Sequence, residues 1–197
     1  MRILIASLSV ALLAPAASAQ TSDPAQATVK ALDDGLLGIM KAGKSAGVAG
    51  RAARIAPVID RSFDLPLMTR LTVGSAWTKF SAAEQSALVA AFRRLTIAQY
   101  AKNFDGYSGE TFTIAPQVDA RGGDRLVRTT LNSSGSAPVP IAYRLRQTNG
   151  WRIIDVFYKN SISQLATRRS DFAGVLASGG AKALTAHLNA LAAKSGG

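Results

Sequence analysis

Apolar positions along the chain recur first at helical spacing, then alternate, then return to helical spacing. In "ATVKALDDGLLGIM", Val29, Leu32, Leu36 and Met40 fall on one face of a helix. "GVAGRAARIAPVIDRSFDLPLMTRLTVGSAWTKF" reads as short helices broken by Pro57, Pro66 and Gly74. "SAAEQSALVAAFRRLTIAQYAKNF" is a stronger helix. Ser81 and Glu84 form a capping box, Leu88, Phe92 and Leu95 mark its apolar face, and Asp105-Gly106 ends it. Period-two segments follow. Phe112, Ile114 and Val118 share one side of "TFTIAPQV", and Val127, Thr129 and Leu131 share one side of "DRLVRTTL". In "APVPIAYRLRQ", Val139, Ile141, Tyr143 and Leu145 face one way, and Ala142, Arg144 and Arg146 the other. Asn149-Gly150 signals a hairpin into "WRIIDVFYK", a run apolar on both faces. A second capping box, Ser161 with Gln164, opens a helix carrying Leu165, Phe172, Val175 and Leu176. Gly179-Gly180 breaks it, and Leu184, Leu188 and Leu191 form a last one.

These elements predict an α+β domain: a meander of four antiparallel strands with helices packed on one face. A twisted sheet covered by short, broken helices has the means to enclose a cavity. Before the domain stands "MRILIASLSVALLAPAASAQ". Arg2, an apolar stretch from Ile3 to Ala16, and Ala17-Ser18-Ala19 read as a secretory signal peptide over residues 1–19, cleaved before Gln20. A retained anchor is the alternative. Cleavage leaves about 178 residues, the size of one domain.

Export changes the meaning of "GIMKAGKSAG". Gly38, Gly43, Lys44 and Ser45 match G-x-x-x-x-G-K-S, but a phosphate loop follows a buried strand. Here a helical pattern precedes the first glycine, and an exported protein meets little ATP or GTP. The segment reads as a helix end followed by a joint of small residues, with no nucleotide partner. The chain has no cysteine, so it holds itself by packing. Its one histidine, His187, lacks the companions of a zinc site and reads as an ordinary helix residue. The formal charge of +11 favours anionic partners such as lipid head groups or acidic protein faces. The basic residues are dispersed, Arg51 and Arg168 among them, as on a solvated surface, and export argues against nucleic acid. Acidic residues gather near caps and turns; Asp155, inside an apolar strand, is the exception. It reads either as a general base in a hydrophobic pocket or as a structural carboxylate bonded to backbone N–H groups or an arginine. "GYSGE" misses the spacing of a nucleophile elbow.

The ordered set Tyr143, Leu145, Trp151, Ile153, Asp155, Val156, Ser161, Ser163, Arg169, Ser170, Phe172, Gly180 and Leu188 resembles the MlaC-type periplasmic phospholipid-binding proteins, also called toluene-tolerance auxiliary proteins. "FDLPLMTRLTVGSAWTKF" and "YAKNFDGYSGETF" resemble the hopanoid-associated HpnM branch. The likeness spans about residues 27–192. The family usually has a glycine after its Asp-Val strand, where this chain reads Tyr158-Lys159-Asn160; asparagine also tolerates a left-handed turn.

The resemblance implies a curved, nuclear-transport-factor-like sheet whose N- and C-terminal helices enclose an apolar pocket. It implies a periplasmic carrier that takes a phospholipid or hopanoid between inner- and outer-membrane complexes, with no cofactor and no catalysis. A tail of about sixteen carbons gains on the order of 12 kcal/mol from burial, so such a pocket needs greasy lining rather than a motif. On that reading Phe63, Leu67, Leu71, Val73, Trp77, Phe92, Leu95, Ile114, Val127, Ile141, Tyr143, Leu145 and Val156 are the candidate lining. Each has plain core packing as its alternative. Tyr100 and Tyr107 are candidates for the mouth, Trp151 for a packing anchor, and the segment around Pro57, Pro66 and Gly74 for a moving lid. Two other readings stay open: a small-molecule enzyme on the same scaffold with Asp155 as base, and a structural adaptor of a membrane complex. A cavity smaller than roughly 300 Å³ favours the adaptor.

Overall fold

The computed structural model describes residues 22–159 and 161–196. The expected signal peptide, its junction at Ala19-Gln20, and Asn160 lie outside the described residues. Five α-helices and one antiparallel sheet organise the described residues: α1 Pro24–Ala42, α2 Gly47–Ser62, α3 Leu65–Val73, α4 Ala82–Asn103, β1 Thr111–Arg121, β2 Asp124–Asn132, β3 Val139–Thr148, β4 Gly150–Tyr158, β5 Ile162–Ser163 and α5 Gln164–Lys194. The strands lie in chain order, each antiparallel to the next.

The sheet has five strands, not the four expected. The fifth is two residues long and pairs Ile162 with Tyr158 and Ser163 with Phe157. This extension displaces the expected capping box. Ser163, rather than Ser161, caps α5, its hydroxyl accepting from the Ala166 N–H. Residues that looked like a helix start are spent on one more ladder rung. Gly179 and Gly180 do interrupt α5, with Gly180 in the left-handed region at φ 60°.

Pro57 does not break its helix. It sits inside α2 on the exposed side, where water can take the Ala53 carbonyl that the proline leaves unpaired. The chain turns instead at Phe63. That residue is extended and bridges Ile153, so α2 is tied to β4 before Asp64 caps α3. Pro66 lies in the first turn of α3, where its missing N–H costs nothing. Gly74 ends that helix at φ 69°.

Two bulges bend the sheet. On β4, Ile154 is the extra residue between the pairs Arg144–Asp155 and Leu145–Ile153, which explains a run apolar on both faces. On β1 the register shifts between Ile114 and Val118, around Pro116, which has no N–H to give the ladder. Gln26 of α1 donates its amide to the Ala115 carbonyl there at 2.8 Å. The helices cover one face. α1, α2, α3 and α5 pack on β4, and α1 also reaches β1 and β2, whereas α4 packs chiefly on α2, α3 and α5. On the opposite face Asp124 is buried between Arg144 and Arg146, whose hydrogen bonds hold its carboxyl below the ordinary range.

Candidate functional site

A cavity of about 510 Å³ lies between α4 and the inner face of the sheet. It exceeds the roughly 300 Å³ lower bound of ligand pockets. Its floor is Leu131, Val139, Ile141, Tyr143 and Val156, a contiguous patch because the register sets Leu131 against Val139 and Tyr143 against Val156. One wall is aromatic. Tyr100 stacks on Phe104 with ring centroids 5.8 Å apart and meets the Phe63 ring at a tilt, also at 5.8 Å. Met68 of α3 and Leu165 of α5 complete the apolar lining, and Gln99, Asn103, Gln164 and Arg168 supply polar positions.

Two other concavities sit elsewhere. One, of about 710 Å³, lies on the opposite face of the sheet between Arg121, Arg128 and Arg144. The other, of about 680 Å³, runs between the start of α1 and the β1 bulge beside Asp23, Gln26 and Asp119. Charged side chains wall both, so neither offers the continuous apolar surface of the inter-layer cavity.

Burial shifts four titratable side chains in or near the cavity, Arg168, Tyr100, Tyr143 and Asp33. Arg168 donates from Nη2 to Gln99 Oε1 at 2.6 Å and lays its guanidinium over the Phe92 ring at 4.8 Å. Its Nη1 is buried with no hydrogen-bond partner among the described residues. Burial pulls Arg168 below its ordinary range, and pushes the Tyr100 and Tyr143 hydroxyls above theirs. Asp33, on α1, is 3% exposed, and neither carboxylate oxygen has a partner among the described residues. Burial, reinforced by the charge of Asp34, raises it to about 8, so it is mostly protonated at neutral pH.

Of the thirteen candidate lining residues, Phe63, Ile141, Tyr143 and Val156 border this cavity. Phe92, Leu95, Val127 and Leu145 are buried in the core beside it. Ile114, on the edge strand β1, and Trp77, in the 3₁₀ turn Gly74–Lys79, are half-buried against that core. On α3, Val73 is buried, whereas Leu67 and Leu71 lie half-buried on its flank. The inward face of α3 carries Leu65, Met68, Thr69 and Thr72. The Thr69 and Thr72 hydroxyls donate to the Leu65 and Thr69 carbonyls, so both threonines bury at little polar cost and shift the helix phase away from the leucines. Tyr100 lines the cavity; Tyr107 is 43% exposed with Lys41 over its ring. Trp151 is half-buried under the Arg125 guanidinium at 5.2 Å.

Asp155 is a structural carboxylate in this geometry. Oδ1 accepts from the Val156 and Leu165 N–H groups, Oδ2 from the Ser163 hydroxyl at 2.6 Å, and it does not border the cavity. Gly38 lies inside α1 and Lys44 on an exposed turn, so the phosphate-loop match has no strand before it. Among the described residues no group of three His, Cys, Asp or Glu is placed to hold a metal, and no helix is long and apolar enough to cross a membrane. Arg51 and Arg168, read as solvated, are not. Arg51 is buried and donates to the Gly43 and Ala101 carbonyls near the ends of α1 and α4. Gln99, Asn103 and Phe104 also escaped the sequence reading, because their role depends on α4 standing apart from β3, and Leu165 was read as part of a helix stripe rather than as lining. Only the surplus of positive charge hinted at Arg168.

The MlaC protein family model matches residues 30–190. Among solved structures, the chain is similar to a phospholipid-binding protein from Ralstonia solanacearum, determined in complex with a phospholipid. The two are 26% identical, with a TM-score of 0.77 over 89% of this chain and 100% of the other.

Proposed function

This chain belongs to the MlaC family, and from that premise we propose that it is a periplasmic carrier that holds the acyl part of a lipid in the cavity between α4 and the sheet. The observation that carries the reading is the cavity itself. α4 packs on other helices and stands off the strands, leaving about 510 Å³ bounded by aliphatic and aromatic side chains. A core free to collapse would close such a space, since an unfilled apolar void forfeits packing contacts. A structural relative bound to phospholipid supports the same use.

In this reading the cargo is a phospholipid or a hopanoid, the latter suggested by the residues shared with the HpnM branch. The bulged, bent strands serve as the curved sheet of a nuclear-transport-factor-like fold. The carrier exchanges cargo with membrane-bound complexes, and the lid is α3, held between the extended Phe63 and Gly74. Transfer needs such a lid: about 0.8 kcal/mol per buried methylene makes unassisted release slow. The protein acts by binding rather than catalysis, with Asp155 serving as a cap.

The test is to purify the exported protein, extract it with organic solvent and analyse the extract by mass spectrometry. Near-stoichiometric lipid is expected. A protein that carries no lipid and accepts none from vesicles contradicts the carrier reading.

A further inference from the structure

The cavity is apolar except where α5 and α4 face each other, and there it contains a cation. Arg168 comes one position before Arg169 on α5, yet the two have different surroundings. Arg169 is exposed and leans on the end of α3, its Nη2 3.1 Å from where a Cβ on Gly74 would stand. Arg168 borders the cavity.

Its surroundings leave it short of partners. Gln99 is neutral and occupies only Nη2; the Phe92 face takes the plane of the guanidinium; Nη1 has no partner and lies closed to water, so it meets a ligand only when the side chain turns toward the cavity. No carboxylate forms an ion pair with Arg168 among the described residues. Asp171 acts on it through space from an exposed position, and Tyr100 is neutral. Asp33 acts on Tyr100 and Tyr143 rather than on Arg168, and is itself held mostly neutral. A half-buried guanidinium whose Nη1 is closed off and idle costs stability, and a charged group of this kind is normally matched by an anion. Guanidinium also presents its donors in a fork that fits phosphate oxygens.

We infer that Arg168 is the head-group site of the cavity: its guanidinium receives the phosphate of an acyl lipid, while the tails lie over Ile141, Tyr143 and Val156. The inference rests on the carrier reading and narrows it, because it selects phosphate-bearing cargo over neutral cargo of equal greasiness. The polar amides Gln99, Asn103 and Gln164 lie around the same site and suit the rest of a polar head.

The experiment loads delipidated protein with dioleoyl-phosphatidylglycerol, with dioleoylglycerol, which has the same two tails and no phosphate, and with diploptene, a neutral hopanoid. Bound lipid is counted by mass spectrometry. Wild-type protein is expected to prefer the phospholipid about tenfold or more, the scale of charge-assisted hydrogen bonds away from water. Arg168→Gln is expected to abolish that preference while dioleoylglycerol still loads. Arg168→Lys, which keeps the charge and loses the fork, is expected to retain part of it. Equal loading of all three lipids by wild type overturns the head-group assignment and leaves the carrier intact. So does an unchanged preference in a folded Arg168→Gln variant. If wild type loads none of the three, the carrier reading fails and the assignment falls with it.

Discussion

Asp33 and Asp155 are both buried carboxylates, and their environments give them opposite behaviour. Asp33 has no hydrogen-bond partner among the described residues and is raised from 3.8 to about 8. The folded state therefore keeps a proton that the unfolded chain releases near pH 4. Stability falls as pH rises between those values, by at most about 1.4 kcal/mol per pH unit. Asp33→Asn removes the titration. Its melting temperature is expected to stay flat between about pH 5.5 and pH 8, above the range where the lowered carboxyl of Asp124 titrates, and to exceed wild type at pH 8; an unchanged decline in that variant would refute the assignment. Asp155 instead accepts from the backbone at the start of α5. Asp155→Asn is expected to cost about 1–2 kcal/mol in chemical denaturation, as for a lost helix cap. Lipid bound per folded molecule should not change; loss of loading without loss of stability would return Asp155 to the site. The sequence marked Asp155 because it stands in an apolar run. It did not mark Asp33, which reads as one of the acidic residues near caps and turns but lies in the middle of α1. Whether a helical acid points outward or inward depends on what packs over it, and one residue of phase separates buried Asp33 from exposed Asp34.

Local patterns foretold the elements well where cap and turn chemistry agreed with periodicity. The Ser81–Glu84 box opens α4, Asn149-Gly150 lies in the β3–β4 hairpin, and Gly179-Gly180 kinks α5. They failed where a tertiary partner overrode them: β5 exists because β4 offers an edge, and Pro57 is tolerated because its side of α2 is wet. The crossing of α1 and α2 supplies a paired test. A Cβ on Gly35 would meet Val58 Cγ1 at 2.8 Å, whereas one on Gly38 meets nothing within 4 Å. Both changes to alanine gain helix propensity, about 1 kcal/mol. At Gly35 overpacking of about 1–3 kcal/mol opposes that gain. Gly38→Ala is expected to raise the melting temperature and Gly35→Ala to lower it. A rise in both would show that the helices separate freely. Gly38→Ala is also expected to leave lipid loading untouched, since Gly38 lies inside α1 and does not border the cavity.

The inter-layer cavity was legible only as a class of object. Apolar alternation on β3 identified Ile141 and Tyr143 as inward-facing, and Val156 stands across the ladder from Tyr143. Alternation could not separate lining from core. That distinction lies in the spacing between α4 and the strands, a property of how helices rest on one another. Filling the space should therefore act on cargo more than on folding. Val139 is half-buried on the floor of the cavity, and Val139→Trp is expected to reduce lipid loading several-fold with little change in melting temperature. Where the acyl chain lies is read by loading the protein with a phospholipid bearing a photoreactive diazirine at the end of one acyl chain, irradiating it, and mapping the adducts by peptide mass spectrometry. Adducts are expected on the lining of this cavity, on α4 and its end around Tyr100 and Phe104 and on β3 around Ile141 and Tyr143. Adducts confined to the opposite face of the sheet, around Leu126 and Phe157, would contradict that placement.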